Sequence, residues 1–78
     1  MFTVYTKSNC SFCVAAKKLL DDQGLVYTEI NVENDSARRA WLRLNGKTTY
    51  PQIVIMDGDI KFKKWVGGYD DLMDHLIS

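Results

Sequence analysis

The chain has two cysteines, one proline and one histidine among its 78 residues, and ten Lys and Arg offset ten Asp and Glu. Each scarcity excludes something. Cys10 and Cys13 lie three apart, so a bridge between them closes almost no loop and cannot staple a small secreted scaffold. A structural zinc site takes four Cys or His ligands, and His75 is far along the chain from the one Cys-x-x-Cys. Zero net charge argues against nucleic acid as a partner, because such affinity comes largely from neutralising phosphates. No apolar run approaches the roughly 18 residues of a membrane span. No basic stretch leads into an apolar one at the N-terminus, so no secretory signal is expected. With 46% hydrophobic residues and no charge excess, the chain is not of disordered composition. One domain over 1–78 is expected, with a small core that buries about 60–65% of the unfolded surface.

What is present reads as alternating strand and helix. Phe2-Thr3-Val4-Tyr5 is a short β-branched and aromatic strand, followed by a polar loop, Thr6-Lys7-Ser8-Asn9. From Cys10 the pattern turns helical, with Cys13, Ala16 and Leu20 and then Val14, Ala15 and Leu19 as apolar positions, and Gly24 as the stop. Residues 26–32 alternate with period two and predict a second strand, parallel to the first because a helix lies between them. Asn34-Asp35-Ser36 starts a second helix, with Ala37, Ala40, Trp41 and Leu44 as its apolar spacing and Arg38, Arg39 and Arg43 outward. Gln52–Met56 is a third strand, Asp57-Gly58 a hairpin turn, and Ile60–Val66 an antiparallel fourth strand. After Gly67-Gly68, Asp70 and Asp71 occupy the first turn of a last helix, where acidic side chains suit the helix dipole.

Only the cysteine pair carries evident chemistry, and its spacing leaves redox exchange ahead of chance pairing or a metal. Cys10 falls at a helix start, where unpaired N–H groups and the dipole favour a thiolate. Cys13, one turn on, can reach back to it. Lys7 could add positive charge or be a solvated loop lysine. Pro51 by itself reads as an ordinary first residue of a strand. His75 has no group within evident reach to serve.

Four segments in order resemble the glutaredoxins: Val4-Tyr5-Thr6-Lys7, Cys10-Ser11-Phe12-Cys13, Thr49-Tyr50-Pro51-Gln52-Ile53 and Gly67-Gly68-Tyr69-Asp70-Asp71-Leu72. The resemblance covers nearly the whole chain. It implies an α/β, thioredoxin-like fold, a four-stranded mixed sheet flanked by three helices in the order βαβ-α-ββα. It implies a glutathione-dependent reductase of protein disulfides and glutathione mixed disulfides, with ribonucleotide reductase as a client. Cys10 would be the attacking cysteine and Cys13 the resolving one. Lys7 and Phe12 would flank bound glutathione, and Tyr50 would pair with it backbone to backbone beside a cis Pro51. Gly67 and Gly68 would leave it room, and Asp70 and Asp71 would meet its ammonium.

The chain departs from the family pattern in places. Ser11 and Phe12 stand where Pro and Tyr are commonest, and a longer basic stretch with Lys61, Lys63, Lys64 and Trp65 fills the last hairpin. Two alternatives follow from the resemblance. One is a redoxin recharged by thioredoxin reductase, against which Gly67–Asp71 argues. The other is a [2Fe–2S] cluster shared by two chains and two glutathiones, which Ser11 permits and a brown colour on anaerobic purification would reveal. A monomer in a reducing, cytoplasmic setting, with no nucleic-acid or membrane partner and no bound metal, completes the expectation.

Overall fold

The computed structural model describes residues 1–58 and 61–77. Along the chain run β1 (Phe2–Thr6), α1 (Ser11–Asp22), β2 (Tyr27–Asn31), α2 (Ser36–Leu44), β3 (Gln52–Asp57), β4 (Lys61–Gly67) and α3 (Tyr69–Ile77). The strands form one sheet in the order β2-β1-β3-β4. β1 pairs parallel with β2, from Phe2 opposite Tyr27 to Thr6 opposite Asn31, and antiparallel with β3, which pairs antiparallel with β4. The expected thioredoxin-like α/β architecture is therefore present. Ile60, expected to open the fourth strand, lies outside the described residues; the strand runs on to Gly67.

Alternation along the two central strands splits the core between the sheet's faces. Val4 and Ile53 meet Ala16 and Leu20 of α1 and Leu72 of α3, all five fully buried. Their neighbours Tyr5 and Val54 turn the other way and pack with Val32 and Leu42 of α2. α1 ends where Gly24 takes a φ of +68°, a conformation that strains other residues, and its N–H closes on the Asp21 carbonyl at 3.0 Å.

Two expectations need correction. Thr6 belongs to β1, is buried, and bonds Glu29 of β2 across the sheet, so the strand outlasts the polar loop assigned to it. The apolar face of α2 is also different. Leu42 is its one buried residue, while Ala37 is exposed and Leu44 is 86% exposed. Arg38 is exposed, as expected. It lines a groove over the sheet with Thr3, Tyr5, Thr28, Ile30 and Met56, while its guanidinium holds Asp35 at 2.8 Å. A nine-residue helix cannot cover a four-stranded sheet, so apolar residues along it stay at the surface.

Candidate active site

Cys10 is the N-cap of α1, with extended backbone at φ −116° and ψ 104°. Asn9, just before it, has a φ of 57°, which asparagine tolerates better than most residues. The tight turn from β1 delivers the sulfur to the free N–H groups of the helix. The Cys13 N–H donates to Cys10 Sγ at 3.2 Å. Such a donor stabilises a thiolate, as does the helix dipole behind it.

The two cysteines are joined as a disulfide, with Cα atoms 5.2 Å apart. Their surroundings differ. Cys10 is half-buried, whereas Cys13 is only 2% exposed. An incoming partner therefore reaches Cys10 first.

The Tyr50–Pro51 peptide bond is cis, and the Tyr50 carbonyl oxygen lies 3.7 Å from Cys10 Sγ. The reading of Pro51 from its own sequence surroundings, as an ordinary strand residue, is thus wrong, and the expectation drawn from the resemblance is right. The Lys7 ammonium stands 5.9 Å over the Tyr50 ring, on the rim of the site.

Beside the disulfide runs an open groove of about 170 Å³, lined by Phe12, Thr49, Tyr50, Pro51, Gly68, Tyr69, Asp70 and Asp71. Phe12 is 60% exposed, and its ring lies 5.9 Å from that of Tyr69. Six of the residues expected around a ligand thus share one wall. Lys7 and Gly67 do not line it. Gly67 sits behind it with a φ of +118°, where a Cβ would run into the Asp71 carboxylate. That carboxylate accepts the Gly68 N–H at 3.0 Å, which caps α3. A Cβ on Gly68 would instead make only ordinary contact, 3.7 Å from the Pro51 carbonyl. Thr49 and Tyr69 line the groove without having been singled out, although both flank residues that were.

On the other side of Cys10 a broader polar cleft of about 650 Å³ includes Lys7, Cys13, Lys17 and Glu29. Glu29 Oε2 accepts from the buried Thr6 hydroxyl at 2.8 Å and pairs with Lys17 at 3.0 Å. The Thr6 bond first, and then Lys17, hold this carboxyl below the ordinary value of 4.5. His75 lies at the opposite end of β1, its ring edge-on to Phe2 with centroids 6.0 Å apart. It takes no part in the site.

A cysteine pair at a helix start, with one sulfur accessible and the other sheltered, works by thiolate exchange. A thioredoxin-like fold carrying it is a thiol–disulfide oxidoreductase. Comparison with known proteins narrows the class. The glutaredoxin family profile matches residues 2–60. Glutaredoxin 3 of Escherichia coli (strain K12) is 36% identical over 70 residues, covering 88% of this chain and 77% of that protein. Glutaredoxin 1 of Rickettsia typhi is 38% identical over 74 residues, covering 91% of this chain and 65% of that one. The hybrid peroxiredoxin hyPrx5 of Haemophilus influenzae is 39% identical over 70 residues, of which this chain spans 27% of the length. Among solved structures, the buckwheat glutaredoxin–glutathione complex superposes with a TM-score of 0.77 at 29% identity, over 97% of this chain and 67% of that one. The Escherichia coli NrdH-redoxin, described as glutaredoxin-like with a thioredoxin-like activity profile, gives 0.74 at 25% identity, over 99% and 93%. The chain belongs to the glutaredoxin family.

Proposed function

We propose that the protein reduces protein disulfides and glutathione mixed disulfides at the expense of glutathione. The observation that carries this reading is the groove of Phe12, Tyr50, Pro51, Gly68, Asp70 and Asp71, in which the Tyr50 carbonyl lies 3.7 Å from the Cys10 sulfur. The Cys10 thiolate attacks a client disulfide, forming a mixed disulfide and releasing one client thiolate. The Cys13 thiolate then attacks the Cys10 sulfur, which closes the internal disulfide and frees the second client thiol. One glutathione thiolate opens that disulfide at Cys10, and a second takes the first away as oxidised glutathione. Electrons and thiols balance over the cycle.

The groove supplies the complementary parts for a tripeptide with one ammonium and two carboxylates. The Tyr50 backbone offers short strand pairing beside the cis proline. The start of α3 offers N–H groups to a carboxylate. Asp70 and Asp71 offer charge to the ammonium, Asp71 while also capping the helix. Phe12 walls one side, and Lys7 adds positive charge at the rim. Gly67 serves indirectly, by letting Asp71 fold back over it. Ribonucleotide reductase, which consumes dithiol electrons, is a client of this chemical class, and a monomer in a cytoplasmic, reducing setting fits the exchange.

A second reading is a redoxin recharged by thioredoxin reductase. It is favoured by the likeness in length and fold to the NrdH-redoxin, which this chain matches almost end to end.

The glycines test the groove. Gly68→Ala puts a methyl group beside Pro51 without strain, so its melting temperature should stay near that of the parent while KM for glutathione rises, by about 3–30-fold for roughly 1–2 kcal/mol of lost contact. Gly67→Ala should lower stability instead, because both its φ and the Asp71 carboxylate oppose a Cβ. If Gly68→Ala leaves KM for glutathione unchanged, glutathione does not lie in this groove.

A further inference from the structure

Across the sheet from α1 and α3, a row of rings reaches the surface. Trp41 of α2 stacks on Trp65 of β4 with centroids 5.3 Å apart, and Phe62 stands 5.3 Å from Trp65. Trp41 is 39% exposed and Phe62 43%. Lys47 lies 5.0 Å over the Trp65 ring. The patch is continuous with the redox site, because Tyr50 and Trp65 pack against the same buried cluster of Tyr5, Val32, Leu42 and Val54. Trp65 pairs with Val54, three residues beyond Pro51, so roughly 10 Å of strand separates the cis proline from it.

The two segments that carry these rings are basic, with Asp35, which Arg38 holds, and Asp57 at their borders. Residues 36–50 carry Arg38, Arg39, Arg43 and Lys47 with no carboxylate, and residues 61–69 carry Lys61, Lys63 and Lys64 with none. Seven of the ten basic residues of a neutral chain thus lie on α2, the loop after it and β4; Lys47 stands over a ring, whereas Lys64, opposite Ile55, and Lys61, opposite Asp57, belong to the other face of the sheet, where α3 packs with Asp70, Asp71 and Asp74. Trp65 has a ring on one side and a lysine over it, which leaves little free π surface for a base to stack on. Ring edges and aliphatic lysine stems suit apolar side chains, and the ammonium groups suit carboxylates.

We propose that this face docks an acidic segment with apolar anchors on a disulfide-bearing protein client, about three to five residues from the cysteine that Cys10 attacks. The proposal rests on the oxidoreductase reading and adds to it the kind of client selected. It concerns affinity for large substrates alone, since a small disulfide never reaches Trp41 or Phe62.

Two synthetic disulfide peptides with a Cys-Gly-Ala-Cys loop test this, one followed by Glu-Phe-Glu-Phe-Glu and one by Lys-Phe-Lys-Phe-Lys, with bis(2-hydroxyethyl) disulfide as the small substrate. The acidic peptide should have the lower KM. Trp41→Ser and Phe62→Ser should each raise that KM about 5–20-fold, the range of a single anchor residue, and leave small-disulfide turnover unchanged. Since a ring deletion could also loosen the fold, Lys47→Glu with Lys63→Glu provides a second arm. It should weaken the acidic peptide and improve the basic one. Equal KM values for the two peptides in the parent protein, or no response to charge reversal, would overturn the proposal. A parent dimer in sedimentation that Phe62→Ser dissolves would also overturn it, by assigning the face to a second copy. Loss of small-disulfide turnover in the parent would count against the oxidoreductase reading itself.

Discussion

Cys10 and Cys13 are one helical turn apart, and the difference between them is environmental. Cys10 caps the helix and receives the Cys13 N–H, and its sulfur lies 3.7 Å from the carbonyl of Tyr50, a groove residue. Cys13 is sealed beneath it. Cys10→Ser should therefore abolish turnover of every disulfide. Cys13→Ser should lose reduction of protein disulfides yet keep reduction of glutathione mixed disulfides, where a second glutathione resolves the intermediate. Survival of Cys10→Ser in either assay would reverse the assignment. Glu29 is distinctive at the same scale. Its carboxyl is held below 4.5, chiefly by the Thr6 hydroxyl, so the folded state binds its proton less readily than the unfolded chain does. That contribution is present above the unfolded value and is lost as pH falls through the lower folded one. Denaturant midpoints should fall as pH drops below about 4.5, and Glu29→Gln should flatten part of that slope. An identical slope in the variant would mean that other carboxylates govern acid unfolding.

Among the elements, α2 departs furthest from its apolar pattern, although Val14 of α1 is likewise apolar and 61% exposed. Leu42 alone is fully buried there, so Leu42→Ala should cost about 2–5 kcal/mol in chemical denaturation, whereas Leu44→Ala, at an 86% exposed position, should change little. Comparable losses at the two sites would restore the face expected from the pattern. The strands and the other two helices were legible because their signals agree. Period-two alternation, Gly24 and the acidic first turn of α3 all point to the observed elements. α2 was less legible because Ala37 and Leu44 are apolar but face water. The cis Tyr50–Pro51 bond was not legible from Pro51 and its neighbours, since nothing local distinguishes it. It became so only through the four ordered segments. Thr49 and Tyr69 went unmarked because neither carries chemistry by its own residue type. Each joins the groove through backbone placement beside Tyr50 and Gly68.

At the scale of the whole molecule, a formal charge of zero conceals a division between faces. α3, near the groove proposed for glutathione, carries three acidic residues and no Lys or Arg, whereas α2, the following loop and β4 carry seven of the ten basic ones. On the two proposals, the same small sheet presents one end of its redox site to a tripeptide and one side to a larger client. Because the groove beside Cys10 carries the functional reading, the most direct measurement is a coupled turnover assay on a glutathionylated small substrate. It is run once with glutathione and glutathione reductase and once with thioredoxin reductase alone. The account predicts sustained turnover with glutathione and little with thioredoxin reductase. Efficient recycling by thioredoxin reductase, with no saturable dependence on glutathione, would contradict it.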